Sequence, residues 1–198
     1  MLFRSADDTL LVFCSDNGGL PEIRPTTVGD LRGNKGSVFE GGIRVPGIIE
    51  WPRLIQPRVT NYPACVMDLF PTVAEIVGLP ATTMIQPLDG RSLLPLLTGN
   101  ATVHRENFFW SEGGSAGGWA VRSGDWKLVT QRTQTRPELF NLAADPGETK
   151  DLAAAEPARV AALGEQHRAR DQRPQCLLER CVGRDRLPRV EVAAHEQI

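Results

Sequence analysis

Asp16 and Asn17 place a carboxylate and an amide oxygen side by side, directly after the apolar run Leu10–Phe13 and directly before Gly18 and Gly19. Both are hard oxygen donors, suited to calcium or magnesium rather than to zinc or copper. Further along, Lys35 stands among small residues in Gly33-Asn34-Lys35-Gly36-Ser37, where an anion can come close to its ammonium group. The two segments together offer a cation site and an anion site. Each also has a plainer reading, since Asn-Gly is a favoured hairpin pair and most lysines are solvated surface charges. Against the hairpin, Leu20-Pro21-Glu22-Ile23-Arg24-Pro25 carries two prolines that cannot donate to a ladder, and it lacks clean alternation.

The elements that would position these groups can be read from periodicity. Leu10–Phe13 is too short and too uniformly apolar for an amphipathic helix, so it reads as a strand buried on both faces, as in parallel sheets. Ligands of such sheets gather at the carboxyl ends of the strands, where Asp16 and Asn17 stand. Ile43–Trp51 is expected as a second apolar strand, bounded by Pro46 and Pro52. Val66, Leu69, Phe70, Val73, Ala74 and Val77 trace a helical face, with the start near Met67–Asp68, Pro71 close to the first turn, and Gly78 well placed to end it. Ser92–Leu97 is at most a short helix interrupted by Pro95.

After residue 104 the pattern changes to alternation and tight turns. Asn107–Trp110, Trp119–Arg122, Trp126–Gln131 and Glu138–Leu142 read as short strands, with Ser123-Gly124-Asp125 turning between the second and third. Asp151–Gln172 reads as a helix packed on that sheet through Val160, Ala161 and Leu163, and His167 falls on its solvated face. Trp110, Trp119 and Trp126 could form a sugar-stacking platform, but aromatic residues suit half-buried strands and the core reading is favoured.

At 198 residues, 41% hydrophobic and 23% charged, the chain suits a soluble globular piece of one or two small domains. Its net charge of -2 argues against general nucleic-acid or membrane-surface binding. No apolar run approaches a membrane span, and the acid-containing start, Met1–Asp8, is unlike a secretory signal. Cys14 and Cys65 read as small buried residues, while Cys176 and Cys181 lack zinc or redox spacing. His104, His167 and His195 are scattered. Asn100-Ala101-Thr102 matches a glycosylation sequon, a pattern frequent by chance.

Taken in order, the motifs resemble those of the sulfatase family. The strand ends in Ser15-Asp16-Asn17-Gly18, and Asn34–Pro46 then reads Asn-Lys-Gly-Ser-Val-Phe-Glu-Gly-Gly-Ile-Arg-Val-Pro, close to a family signature. Met67–Gly78, Leu88–Leu93, Trp119–Leu128 and Glu138–Thr149 follow in the family's sequence, so the resemblance covers about residues 8 to 165. It implies an α/β fold: part of an alkaline-phosphatase-like, mostly parallel sheet in residues 1–103, then a small α+β domain with an antiparallel sheet and one helix in 104–172. Residues 173–198 resemble nothing familiar and are expected to form a flexible tail.

The implied reaction is hydrolysis of a sulfate ester on a sugar or aryl group, with calcium as cofactor. By matching position, Asp16 and Asn17 would be two of the metal ligands, and Lys35 would bind the sulfate and its bridging oxygen. Glu40-Gly41-Gly42 would shape a turn rather than touch substrate, and Arg44 is as readily structural. The family's nucleophile is a formylglycine made from Cys or Ser in a pentad with proline at its third and arginine at its fifth position. Cys14, Cys65, Cys176 and Cys181 all lack the proline, and no serine fits. The chain therefore reads as a carboxyl-terminal sulfatase portion, inactive by itself, with the pentad, further ligands and any export signal expected upstream. The alternatives are a phosphoester or phosphonate hydrolase of the same superfamily, or a noncatalytic truncated module.

Overall fold

The computed structural model describes residues 5–20, 28–84, 86–99, 105–112, 118–131, 134 and 136–171. The sequon at Asn100, His104, His195, Cys176, Cys181 and the expected tail lie outside these residues.

Strand β1 (Leu11–Cys14) pairs antiparallel with β2 (Gly47–Glu50), with Phe13 opposite Ile48 and Leu11 opposite Glu50. The expected parallel sheet is thus not seen among the described residues, where these strands form a two-stranded antiparallel ribbon. Nor is β1 buried on both faces, because Leu11 is 56% exposed, Phe13 60% and Ile48 59%. Cys14 is likewise exposed rather than buried, and Cys65 is intermediate. The second strand is shorter than Ile43–Trp51, because Glu40–Ile43 forms a single helical turn, α1, and strand pairing begins only at Gly47, after Pro46.

Helix α2 (Leu69–Ile76) follows a 3-10 turn at Val66–Asp68 and ends at Gly78, which takes φ +72. Pro71 sits within its first turn, where a missing N–H costs little. The face that the apolar spacing marks is buried only in part, at Ala74 and partly at Leu69. Pro71, Thr72 and Ala74 face inward, whereas Val66, Phe70, Val73 and Val77 are all exposed. Spacing identifies an apolar stripe but not what covers it. Asp68, fully buried at the head of this helix, accepts hydrogen bonds from the backbone N–H groups of Cys65 (2.9 Å) and Arg91 (2.8 Å) and pairs with Arg105. Helix α3 (Leu94–Leu97) accommodates Pro95 in its first turn without interruption.

Strands β3 (Asn107–Ser111), β4 (Trp119–Ser123), β5 (Trp126–Thr130) and β6 (Glu138–Asn141) form an antiparallel meander in chain order. Alternation explains why both faces are covered. Ala120, Val129 and Phe140 point to one side and pack with Val38, Phe39 and Leu142, while Val121, Leu128 and Leu139 point to the other and meet Leu163 of α4 (Pro157–Asp171). Each fully buried large side chain there contributes about 1.5–3 kcal/mol. The tryptophans belong with this packing: Trp110 lies against the first cluster, and Trp119 and Trp126 against the second. Ala161 is exposed, however, and His167 is not on a solvated face but stacks on Trp119 at 3.9 Å.

Candidate functional site

Two short backbone hydrogen bonds join the segments that carry Asp16, Asn17 and Lys35. The Gly18 N–H donates to the Gly42 carbonyl at 2.8 Å, and the Lys35 N–H donates to the Gly19 carbonyl at 3.0 Å. The turn after β1 is therefore laid against the loop between Gly33 and Ile43. Glycine is what permits this contact, since a Cβ on Gly18 would come 1.8 Å from the Gly41 carbonyl oxygen, and one on Gly42 would come 2.0 Å from the Ser37 carbonyl oxygen. No other residue fits without moving backbone.

Within the turn, the Ser15 hydroxyl donates to the Asn17 carbonyl at 2.9 Å, and Asn17 Nδ2 donates to the Gly18 carbonyl at 2.8 Å. That bond engages Asn17 through Nδ2 and not through Oδ1, and the neighbouring Asp16 is exposed. A carboxylate and an amide oxygen on adjacent residues are a chemically apt partial set for a hard cation. They are only a part of one, because calcium takes about 6 to 8 oxygens and no group of three or more His, Cys, Asp or Glu side chains gathers among the described residues. Lys35 is exposed, and no side-chain hydrogen bond or ion pair engages it among the described residues. Asp16, Asn17 and Lys35 are thus brought to one region by backbone contacts. Arg44, also exposed, uses its N–H to close the α1 turn onto the Glu40 carbonyl at 2.7 Å.

The loop is fixed from below by charges that sequence reasoning did not assign. Glu40, at the start of α1, is buried and meets Lys127 Nζ at 2.9 Å, and Glu148 Oε2 accepts the Glu40 backbone N–H at 2.6 Å. Burial is the main cause that holds the Glu148 carboxyl above its usual range, with the neighbouring Lys127 acting in the opposite direction. Arg32 adds a second clamp, its guanidinium lying 3.9 Å over the Phe39 ring and bonding to Glu138 and to the Glu148 carbonyl. One signal in the sequence does point to Lys127: in Trp126-Lys127-Leu128-Val129 the strand period puts it on the inward face with Val129.

The family of N-sulphoglucosamine sulphohydrolase carboxyl-terminal regions matches residues 33–170, which hold the Lys35 loop, the α1 turn and the whole meander with its helix. The chain belongs to the sulfatase family. It carries the carboxyl-terminal portion of a sulfatase. Mouse steryl-sulfatase is 33% identical over 211 residues, covering 83% of this chain and 33% of that protein. Human arylsulfatase A is 34% identical over 174 residues, covering 74% and 34% respectively. Among solved structures, Ps i-CgsB superposes with a TM-score of 0.75 at 29% identity, over 84% of this chain and 37% of that one. The phosphonate monoester hydrolase of Agrobacterium radiobacter does so at 0.63 and 27%, over 83% and 36%. This sulfatase chain spans about a third of the length of these relatives.

Proposed function

We propose that the chain serves hydrolysis of sulfate esters, and that it supplies the supporting groups of that site rather than its nucleophile. The observation that carries this reading is the pair of backbone bonds, Gly18 to Gly42 and Lys35 to Gly19, which sets hard oxygen donors and an exposed ammonium on adjoining turns. Asp16 and Asn17 would provide two of the oxygens around a calcium ion, which when bound would neutralise charge on the sulfate. Lys35 would hold the sulfate and its bridging oxygen, stabilising the negative charge that grows there as the ester bond breaks. Residues 1–103 would form the end of the catalytic α/β domain and 104–172 the small carboxyl-terminal domain. The exposed apolar residues of β1, β2 and α2 are then the surface that the rest of a sulfatase fold covers.

The likeness to a phosphonate monoester hydrolase favours one further reading, in which the same groups serve a phosphonate or phosphate ester. A chimera separates the two. Residues 8–165 replace the matching third of human arylsulfatase A, and the product is assayed with a chromogenic aryl sulfate and with an aryl phosphonate ester. Sulfate-ester turnover is expected, with K35A lowering kcat by about 10²–10³-fold. Phosphonate turnover in its place, or turnover indifferent to K35A in a folded chimera, would contradict the proposal.

A further inference from the structure

Lys127, Glu40 and Glu148 form a buried charge cluster with 0%, 5% and 0% side-chain exposure. Lys127 Nζ lies 2.9 Å from Glu40 Oε1 as a hydrogen bond, and 2.9 Å from Glu148 Oε1 as an ion pair without hydrogen-bond alignment. The Trp110 ring stands 5.7 Å from the same ammonium. Burying three charges is costly, and apolar residues of similar volume would serve a core at least as well. Glu148 also holds the left-handed backbone, φ +53, which is unfavourable for a side chain with a Cβ. Cost and strain at one place, beside a candidate site, call for a reason other than packing.

The connections supply one. Glu148 Oε2 receives the Glu40 N–H, and Lys127 holds the Glu40 carboxylate, so the start of α1 is pinned at both its backbone and its side chain. The next residues of that turn reach the candidate site through the backbone: Gly41 donates to the Arg32 carbonyl at 2.7 Å, and Gly42 receives Gly18 at 2.8 Å. Gly19 in turn receives Lys35. The path from the cluster to both turns is therefore a short series of hydrogen bonds, starting from the best-covered strand of the meander.

We propose that the buried Glu40–Lys127–Glu148 cluster is a positioning device, through which the carboxyl-terminal sheet fixes the turns that carry Asp16, Asn17 and Lys35. Lys127 is a positioning residue and touches no substrate. The consequence for sulfate-ester chemistry rests on the role proposed above for Lys35, but the fixing of the turns does not.

Hydrogen exchange on the whole chain tests this without metal, sulfate or turnover, so its failure is separate from failure of the functional proposal. In K127M, protection of the Gly18, Lys35 and Gly42 amides should fall about tenfold or more, while Val121 and Leu128 in the sheet stay near wild type. L163A, which weakens the opposite face of the sheet, should lower all five together. Charge balance is restored in K127M/E40Q/E148Q, where the amide oxygen introduced at position 148 can still accept the N–H of residue 40, and the turn amides should regain much of their protection. If K127M does not fold, E148Q should show the same local loss in smaller degree. The proposal is overturned if the turn amides keep wild-type exchange, if they change in step with Val121 and Leu128, or if the triple variant does no better than K127M.

Discussion

A Cβ placed on Gly18 would lie 1.8 Å from the carbonyl oxygen of Gly41, 2.7 Å from its carbonyl carbon and 2.9 Å from the Gly42 Cα. All three obstacles are backbone, so relief requires the turn after β1 to separate from α1. G18A should therefore lose stability at or above the upper end of about 1–3 kcal/mol, the usual range for overpacking. G47A, with nothing within 4 Å of its new methyl group, is the internal comparison and should stay within about 0.5 kcal/mol. Urea melts of the two variants decide the matter, and equal midpoints would refute the close packing of the turns.

Asp68 and Arg105 form a second buried pair, 0% and 8% exposed, linking the head of α2 to the segment that enters β3. Asp68 also receives two backbone N–H groups, so it anchors the turn at Cys65 and the loop at Arg91. Removing one partner leaves an uncompensated charge, which typically costs about 3–5 kcal/mol. R105M should be destabilised by that order in urea titration. A loss below about 1 kcal/mol would mean that the pair behaves as a surface contact.

Burial, then the charge of Asp68, pushes the Cys65 thiol up to about 11. Thiolate is the reactive form, so Cys65 should alkylate slowly near neutral pH and the exposed Cys14 faster. Peptide mass spectrometry after timed iodoacetamide exposure reads both sites. Cys65 reacting first would show that its surroundings open readily.

His167 stacks on Trp119, and burial holds its imidazole below the usual 6.5. The unfolded chain therefore binds this proton more readily than the folded one, and stability should rise with pH through the range up to 6.5. In the folded state Asp171 opposes the shift and Arg168 adds to it. The melting temperature of wild type should climb more steeply across this range than that of H167F, which keeps an aromatic ring on Trp119 but cannot titrate. Identical slopes would remove His167 as a cause.

The ribbon of β1 and β2 leaves large apolar side chains exposed, whereas Leu128, Val129, Leu139 and Phe140 in the meander are at most 1% exposed. Amides at Trp126–Thr130 should therefore exchange more slowly than those at Leu11–Cys14. Equal protection in a demonstrated monomer would show the ribbon to be as well supported as the meander.

The meander was legible because its partners are near in sequence and its residues alternate. All four strands fall within a residue of their expected ends, and Gly124 turns at the expected place with φ +56. Long-range matters were not legible. Leu11 and Glu50 are paired across a long connection, and nothing in either run specifies an antiparallel partner. The stripe on α2 was visible, but a stripe cannot say that Ala74 would turn inward with Pro71 and Thr72 while Val66, Phe70, Val73 and Val77 stay exposed. For the proposed site, type and motif are what single out Asp16, Asn17 and Lys35, while the charges beneath them were hidden in strand and turn motifs. Lys127 and Glu148 acquire meaning only when the fold sets them against Glu40.

The claim that the Asp16–Asn17 and Lys35 turns form one half-site is tested most directly by amide NMR of the labelled 198-residue chain, titrated with sodium sulfate in the presence of calcium. Shifts should concentrate at Lys35 and Gly36 and extend to Asn17 and Gly18, and K35A should abolish them. With two protein oxygens in place of the usual 6 to 8 or so, calcium itself should bind weakly, its shifts at Asp16 and Asn17 saturating only in the millimolar range. Sulfate shifts that survive K35A, or that centre on arginines elsewhere with Lys35 and Asn17 unmoved, would contradict the account.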